Sequence, residues 1–264
     1  MKPKLYIIKI GGALIDQEDE LEVFLKKFAT IPEAKILVHG GGKLTTTLAE
    51  QLHVPQNMVN GRRVTDAKTL DIATMVYAGK INKTIVAKLQ SYDCDALGIS
   101  GADANVIQAE KREVEEVDFG YVGDVSSESV NKKRIKSFLK IGLTPVFSAI
   151  THDHHGALYN TNADSIASVL AQALSKKYDV ELVYCFDKDG IMIDLDDPTS
   201  LVPLLDNEKQ KELMEKGCLN KGILPKLKNA FLAKENDVHK VFLINETKLL
   251  EHINHGNQGT EICL

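Results

Sequence analysis

Twice within the first 42 residues a short apolar run ends in glycines. Leu5-Tyr6-Ile7-Ile8-Lys9-Ile10 leads into Gly11-Gly12, and Ile36-Leu37-Val38-His39 into Gly40-Gly41-Gly42. A continuous aliphatic run of this length marks a parallel strand buried on both faces. Glycine at its carboxyl end lets bare backbone N–H groups approach a ligand. In open α/β sheets the binding crevice lies beyond the carboxyl ends of the strands, where backbone donors and helix N-termini favour phosphate or carboxylate. Lys9 stands inside the first run, and a lysine in an apolar strand is costly to bury unless something negative meets it. The pattern predicts one cation and two N–H cradles around one anion.

The rest of the chain supplies matching helices and strands. Leu21, Phe24, Leu25 and Phe28 recur at helical spacing between the two runs, giving a strand, helix, strand unit. Leu44, Leu48 and Leu52 repeat every fourth residue and predict a helix whose N-terminus points at the second glycine corner. Asp66 to Ser91 reads as one or two helices, through Leu70, Ala73, Tyr77, Ile81, Ile85 and Leu89. Short runs at Ala104 to Ile107 and Glu116 to Val122, split by glycines, predict a small antiparallel excursion. Leu143 to Ile150, Val180 to Phe186 and Val238 to Ile244 read as further strands, and Ala163 to Leu174 as a helix with Asn162 as N-cap. A lobe boundary is expected near Ser175 to Asp179, dividing the chain into residues 1–175 and 176–264.

Composition narrows the class. With 264 residues the chain can bury a large core, and a net charge of −5 argues against nucleic acid as a partner. No apolar stretch approaches the ~20 residues of a spanning helix, so no membrane partner is expected. Cys94, Cys185, Cys218 and Cys263 are far apart without a CxxC pair, as in reduced cytosolic proteins. A cytoplasmic location is the expectation.

Standard phosphate motifs fail. There is no P-loop, and Gly40-Gly41-Gly42-Lys43-Leu44-Thr45 has threonine where the dinucleotide fingerprint needs its third glycine. Four other segments are chemically unusual. Asn160-Thr161-Asn162-Ala163-Asp164 places two amides and a carboxylate at a helix start, more than a cap requires. In Gly222-Ile223-Leu224-Pro225-Lys226, a lysine follows the proline of a first helical turn, at the positive end of the dipole; taken alone it reads as solvent-exposed. Asn60-Gly61-Arg62-Arg63-Val64-Thr65-Asp66 is either a surface turn or an arginine grip for a carboxylate. Phe186-Asp187-Lys188-Asp189-Gly190 closes a strand with a hairpin turn or a nucleotide contact. His152, His154 and His155 invite a zinc reading but lack a further Cys/His set, so no metal ligands are assigned. His39 reads as packing at its strand end, not as a base.

In this order, Lys9-Ile10-Gly11-Gly12, His39-Gly40-Gly41-Gly42, Asn60 to Thr65, Asn160 to Asp164 and Gly222 to Lys226 resemble the motifs of the amino acid kinase family. The Asn-Gly-x-Arg-Val-Thr segment resembles the branch that phosphorylates N-acylated glutamate. The resemblance implies an αβα sandwich around a mainly parallel open sheet. It also implies phosphoryl transfer from ATP with Mg²⁺ to the γ-carboxylate of N-acetyl-L-glutamate, in arginine biosynthesis.

By the same resemblance, Lys9 and Lys226 would neutralise the transferring group and Asp164 would orient both. Gly11, Gly12, Gly40 and Gly41 would donate N–H bonds to it, with Gly41 and Gly42 also lining the substrate site. Arg63 and Asn160 would hold the substrate α-carboxylate, and Asp187, Asp189 and Gly190 would touch the nucleotide. The N-terminal lobe would hold the acyl-glutamate and the dimer contact, the C-terminal lobe ATP.

Arg62 departs from the family pattern, which is usually apolar there, and raises N-succinyl-L-glutamate as a second candidate substrate. Two further readings stay open: a kinase of a different amino acid, and a catalytically silent nucleotide or amino-acid sensor on the same fold. Lack of an N-terminal helical extension, a feature of arginine-inhibited hexameric relatives, leads to the expectation of a homodimer insensitive to arginine.

Overall fold

The computed structural model describes residues 1–59, 62–114, 116–194, 197–219 and 222–264, without the side chains of Arg62 and Pro198. Eight strands form the central sheet: β1 (Lys4–Ile10), β2 (Ala34–His39), β3 (Ala96–Ile99), β4 (Thr144–Ser148), β5 (Asp179–Phe186), β6 (Leu204–Leu205), β7 (Lys240–Asn245) and β8 (Thr260–Ile262). Their spatial order is β6-β8-β7-β5-β1-β2-β4-β3. Every adjacent pair is parallel except β7 with β8. In β1, Ile10 faces Cys185 of β5 on one side and His39 of β2 on the other. Because β1 and β2 end in register, their glycines emerge side by side.

The helices are α1 (Gly12–Ile15), α2 (Glu18–Ala29), α3 (Leu44–Gln51), α4 (Ala67–Thr74), α5 (Asn82–Gln90), α6 (Lys132–Lys140), α7 (Ala163–Ser175), α8 (Asn207–Glu215), α9 (Leu224–Glu235) and α10 (Leu249–His255). In α2, Leu21, Phe24, Leu25 and Phe28 are buried, with Glu18, Asp19 and Glu20 in its first turn and Lys26 and Lys27 in its last, as the helix dipole favours. It packs against α5 and α10, while α7 packs on β1, β5 and α9. The result is a three-layer αβα sandwich, as expected.

Two local readings change and one is resolved. Of the leucine stripe of α3 only Leu48 packs against the core: Leu44 and Leu52 are exposed, and the buried residues are Thr45 and Ala49. The helix leaves a tight corner, and its small side chains are the ones that fit against the layer below. Asp66 to Ser91 is one continuous helical path, capped by the Asp66 carboxylate on Thr69 N–H, in which a π-helical turn at Met75–Ile81 joins α4 to α5. Finally, Ala104 to Ile107 is not a strand. Asp103 accepts from both the N–H and the hydroxyl of Ser100 and closes a 3₁₀ turn at Asp103–Asn105, with Ala104 and Asn105 at positive φ. The antiparallel excursion survives as Glu110–Lys111 with Val122–Asp124, in a small sheet completed by Ile150–His152 and Leu158–Thr161.

Candidate active site

At the carboxyl ends of β1 and β2 the two glycine corners touch backbone to backbone. A Cβ on Gly12 would lie 2.7 Å from the Gly42 Cα. Gly42 has φ +53°, and its missing side chain leaves room for Asp16, whose two carboxylate oxygens each accept from the Lys43 N–H at 3.0 Å. The end of α1 thus braces the start of α3. Gly41 is buried against the Tyr77 ring, delivered by the π-helical turn, and a Cβ there would overlap that ring at 1.6 Å. Among the described residues, the N–H of Gly41, just beyond the ladder, finds no protein acceptor. Buried backbone donors are almost always paired, so this donor is suited to an anion.

Beside them stand the charged groups. Lys9 sits next to the end of β1, and the Asp164 carboxylate projects from the first turn of α7, whose start is capped by Asn162 on the N–H groups of Asp164 and Ser165. Lys226 comes from the first turn of α9, behind Pro225. Both ammoniums reach the same oxygen, Asp164 Oδ1: Lys9 Nζ at 2.7 Å and Lys226 Nζ at 3.1 Å. Each lysine is only 8 % exposed. Burial works to raise the Asp164 pKa, but the two ammoniums outweigh it and hold the carboxyl well below its usual range. Burial and the neighbouring Lys9 charge bring Lys226 down to about 8, against the pull of Asp164. The solvent-exposed reading of Lys226 is therefore corrected. Its position at a helix N-terminus is tolerated because Asp164 supplies the negative charge.

Tyr184, in the middle of β5, lies beneath this cluster. Its ring is 5.4 Å from the Lys226 ammonium, and its hydroxyl donates to the Asp164 carbonyl at 3.1 Å. Burial and the Asp164 charge push its own pKa well up, so it stays a neutral donor. Nothing in an apolar strand distinguishes such a tyrosine beforehand. Asp16, Tyr77 and Tyr184 are the site residues that sequence reasoning missed. A carboxylate four residues beyond a glycine corner was the one signal available for Asp16.

Arg63 lies on a two-stranded hairpin, Asn57–Val59 with Arg62–Val64. Its guanidinium donates to Gln56 Oε1 and, at 3.0 Å, to Thr46 Oγ1 of α3, both neutral acceptors. Its charge is thus held in place without a carboxylate among these partners. Asn160 Nδ2 donates to Thr65 Oγ1 at 3.1 Å, so this amide is tied to the strand that carries Arg63. Asn60, Gly61 and the side chain of Arg62 lie outside the described residues. Asp187 and Asp189 are exposed beyond β5, but Gly190 is buried, packed against Leu201 and Thr260. That glycine is needed for packing beneath the loop. His39 is wholly buried at the end of β2, and burial lowers its pKa to about 4, consistent with a packing role.

The sequence pattern described as the amino acid kinase family matches residues 4–245. The chain is 46% identical over 261 residues to the acetylglutamate kinase of Cytophaga hutchinsonii, covering 98% of each protein. It is likewise 46% identical to the acetylglutamate kinase of Phocaeicola vulgatus, with 99% of each covered. Among solved structures, smu.665 from Streptococcus mutans UA159 superposes with a TM-score of 0.78 at 23% identity over 98% of both chains, a likeness of fold.

Proposed function

The chain belongs to the amino acid kinase family, and on that premise we propose that it transfers the terminal phosphoryl group of ATP to the γ-carboxylate of N-acetyl-L-glutamate. The product is N-acetyl-L-glutamyl 5-phosphate, for arginine biosynthesis. The observation that carries this reading is buried excess positive charge: two ammoniums share one carboxylate, beside a glycine corner whose Gly41 N–H has no protein acceptor.

The chemistry suits the residues. The attacking carboxylate is ionised at neutral pH, so no general base is required. The obstacle is electrostatic, since two like charges 4 Å apart at an effective dielectric of about 20 repel by about 4 kcal/mol. Lys9 and Lys226 offset that repulsion, and Asp164 keeps their ammoniums at one place. The N–H groups of Gly11, Gly12, Gly40 and Gly41 would stabilise charge that builds on the phosphoryl oxygens, the preorganised contribution on which such transfers depend. Arg63 and Asn160 would hold the α-carboxylate and so aim the γ-carboxylate in line.

Asp187, Asp189 and the neighbouring segment would meet the nucleotide, with residues 1–175 as the acyl-glutamate lobe and 176–264 as the ATP lobe. Among the described residues no three His, Cys, Asp or Glu side chains gather as metal ligands, and both lysines occupy Asp164. Mg²⁺ would therefore ride on the phosphates, where it screens their charge.

The test is a coupled ADP-release assay with N-acetyl-L-glutamate, N-succinyl-L-glutamate, L-glutamate and L-aspartate. We expect the best efficiency with the acetyl compound. Preference for the succinyl compound, abolished by Arg62→Ala, would reassign the acyl group. Absence of turnover with both acylated glutamates would remove the reading.

A further inference from the structure

The Gly40–Gly41 peptide is held from behind by two buried side chains that do not reach the crevice. The His39 imidazole has Nδ1 2.9 Å from the Gly40 carbonyl oxygen and Nε2 3.0 Å from Asn82 Nδ2. Asn82, at the start of α5, is 1 % exposed. Its Nδ2 also lies 2.9 Å from the Val146 carbonyl, and its Oδ1 accepts from Lys83 Nζ at 3.1 Å.

These contacts determine every proton. A carbonyl oxygen can only accept, so Val146 fixes which end of the Asn82 amide is nitrogen, and that nitrogen donates to His39 Nε2. Nε2 is then the acceptor, and Nδ1 carries the proton that the Gly40 carbonyl receives. Burial keeps the imidazole neutral, in agreement with this assignment.

Among the described residues there is no cis peptide bond. In a planar trans peptide the carbonyl and the following N–H point in opposite directions. Holding the Gly40 carbonyl on the core side therefore sends the Gly41 N–H to the other side. Glycine on both sides of this peptide leaves it free to rotate. A flip would offer a carbonyl oxygen, not a donor, to an anion.

We propose that His39 and Asn82 are positioning residues for phosphoryl transfer: Asn82 holds the imidazole in its Nδ1–H form, that N–H grips the Gly40 carbonyl, and the Gly41 N–H is thereby turned toward the transferring group. The inference rests on the kinase reading above. The Tyr77 ring against Gly41 limits movement of the same peptide from the side.

Two measurements on the full chain test it. In protein labelled with ¹⁵N-histidine, long-range proton–nitrogen correlation at pH 7.5 is expected to show His39 protonated at Nδ1, and Asn82→Leu to weaken that preference. An Nε2–H form or an imidazolium in the wild type overturns the proposal, as does an unchanged tautomer in Asn82→Leu. In steady-state kinetics, His39→Phe is expected to lose at least 30-fold in kcat, with KM for ATP and for N-acetyl-L-glutamate within threefold. His39→Asn, whose side-chain nitrogen falls near the imidazole Nδ1, is expected to return kcat to within fivefold of wild type. A folded His39→Phe protein within threefold of wild type, or His39→Asn as slow as His39→Phe, overturns it. Should His39→Phe fail to fold, Asn82→Leu carries the kinetic arm, expected at least tenfold down in kcat, and an unchanged kcat overturns the proposal. A wild type inactive on every acyl-glutamate removes the kinase reading alone, because the tautomer still decides the hydrogen-bond chain.

Discussion

Lys226 is where stability and activity pull in opposite directions. Burial and Lys9 bring its pKa from 10.5 to about 8, so the folded protein binds this proton less tightly than the unfolded chain. The unfolded state holds more protons between those values, and this group's contribution to stability rises as pH climbs through them. Below about pH 8 the charged ammonium is therefore a cost to the fold. We expect Lys226→Met to raise the thermal midpoint at pH 7 while lowering kcat by at least 10²-fold, because a charge contact in the transition state is lost. Lys9→Ala should lose kcat comparably, and either variant within tenfold of wild type would contradict the electrostatic mechanism. Since an anion needs the ammonium form, kcat/KM should fall above about pH 8, and the limb should move to higher pH in kcat, where bound phosphates stabilise the proton. A limb that stays in place would sink the assignment. Lys9 was legible as functional because a cation inside an apolar strand is a local contradiction. Lys226 was legible only through the family resemblance and not from its own position, because its partner, Asp164, lies on another helix.

The element with most influence on the site is the helical path from Ala67 to Gln90, whose π-helical turn is the kind of irregularity often found near functional sites. It delivers Tyr77 to Gly41 and Asn82 to His39. Gly41→Ala would drive a methyl group into the Tyr77 ring, and overpacking of this sort costs about 1–3 kcal/mol. We expect a lower thermal midpoint and at least tenfold lower kcat, with part of the stability regained in Gly41→Ala/Tyr77→Ala. If the double variant is as unstable as the sum of the singles, the contact is not the cause. The sequence shows this region as a run of helical spacing and nothing more. An aromatic in an apolar stripe looks like core, and an asparagine in a helix looks like surface, so their meeting with the glycine corner emerges only from packing. The corners themselves were legible because strand and glycine are adjacent in the chain.

For the whole molecule, the proposed division at residues 175 and 176 cuts through a continuous sheet, since β1 pairs with β5 along its full length. The two lobes therefore share a backbone ladder, and any closure between them must come from twist in that sheet. The homodimer remains a proposal, supported by the apolar side chains that α3 and the π-helical turn leave exposed, Leu44, Leu52 and Met75. Light scattering should give twice the chain mass, and a monomer at micromolar concentration would contradict it. The position of β1 also bears on how the protein is made. It leaves the ribosome well before β5, so one of its edges waits for Asp179 to Phe186 to be synthesised. Long-range parallel pairing is slow because the intervening chain must first be ordered. A 1–175 fragment should therefore lack a cooperative melting transition and show fast hydrogen exchange in β1, whereas a sharp transition would show that the first lobe folds alone. Until that later strand arrives, an apolar edge of the nascent chain is unpaired, which makes synthesis beyond residue 186 the point at which β1 is released from this exposure to aggregation.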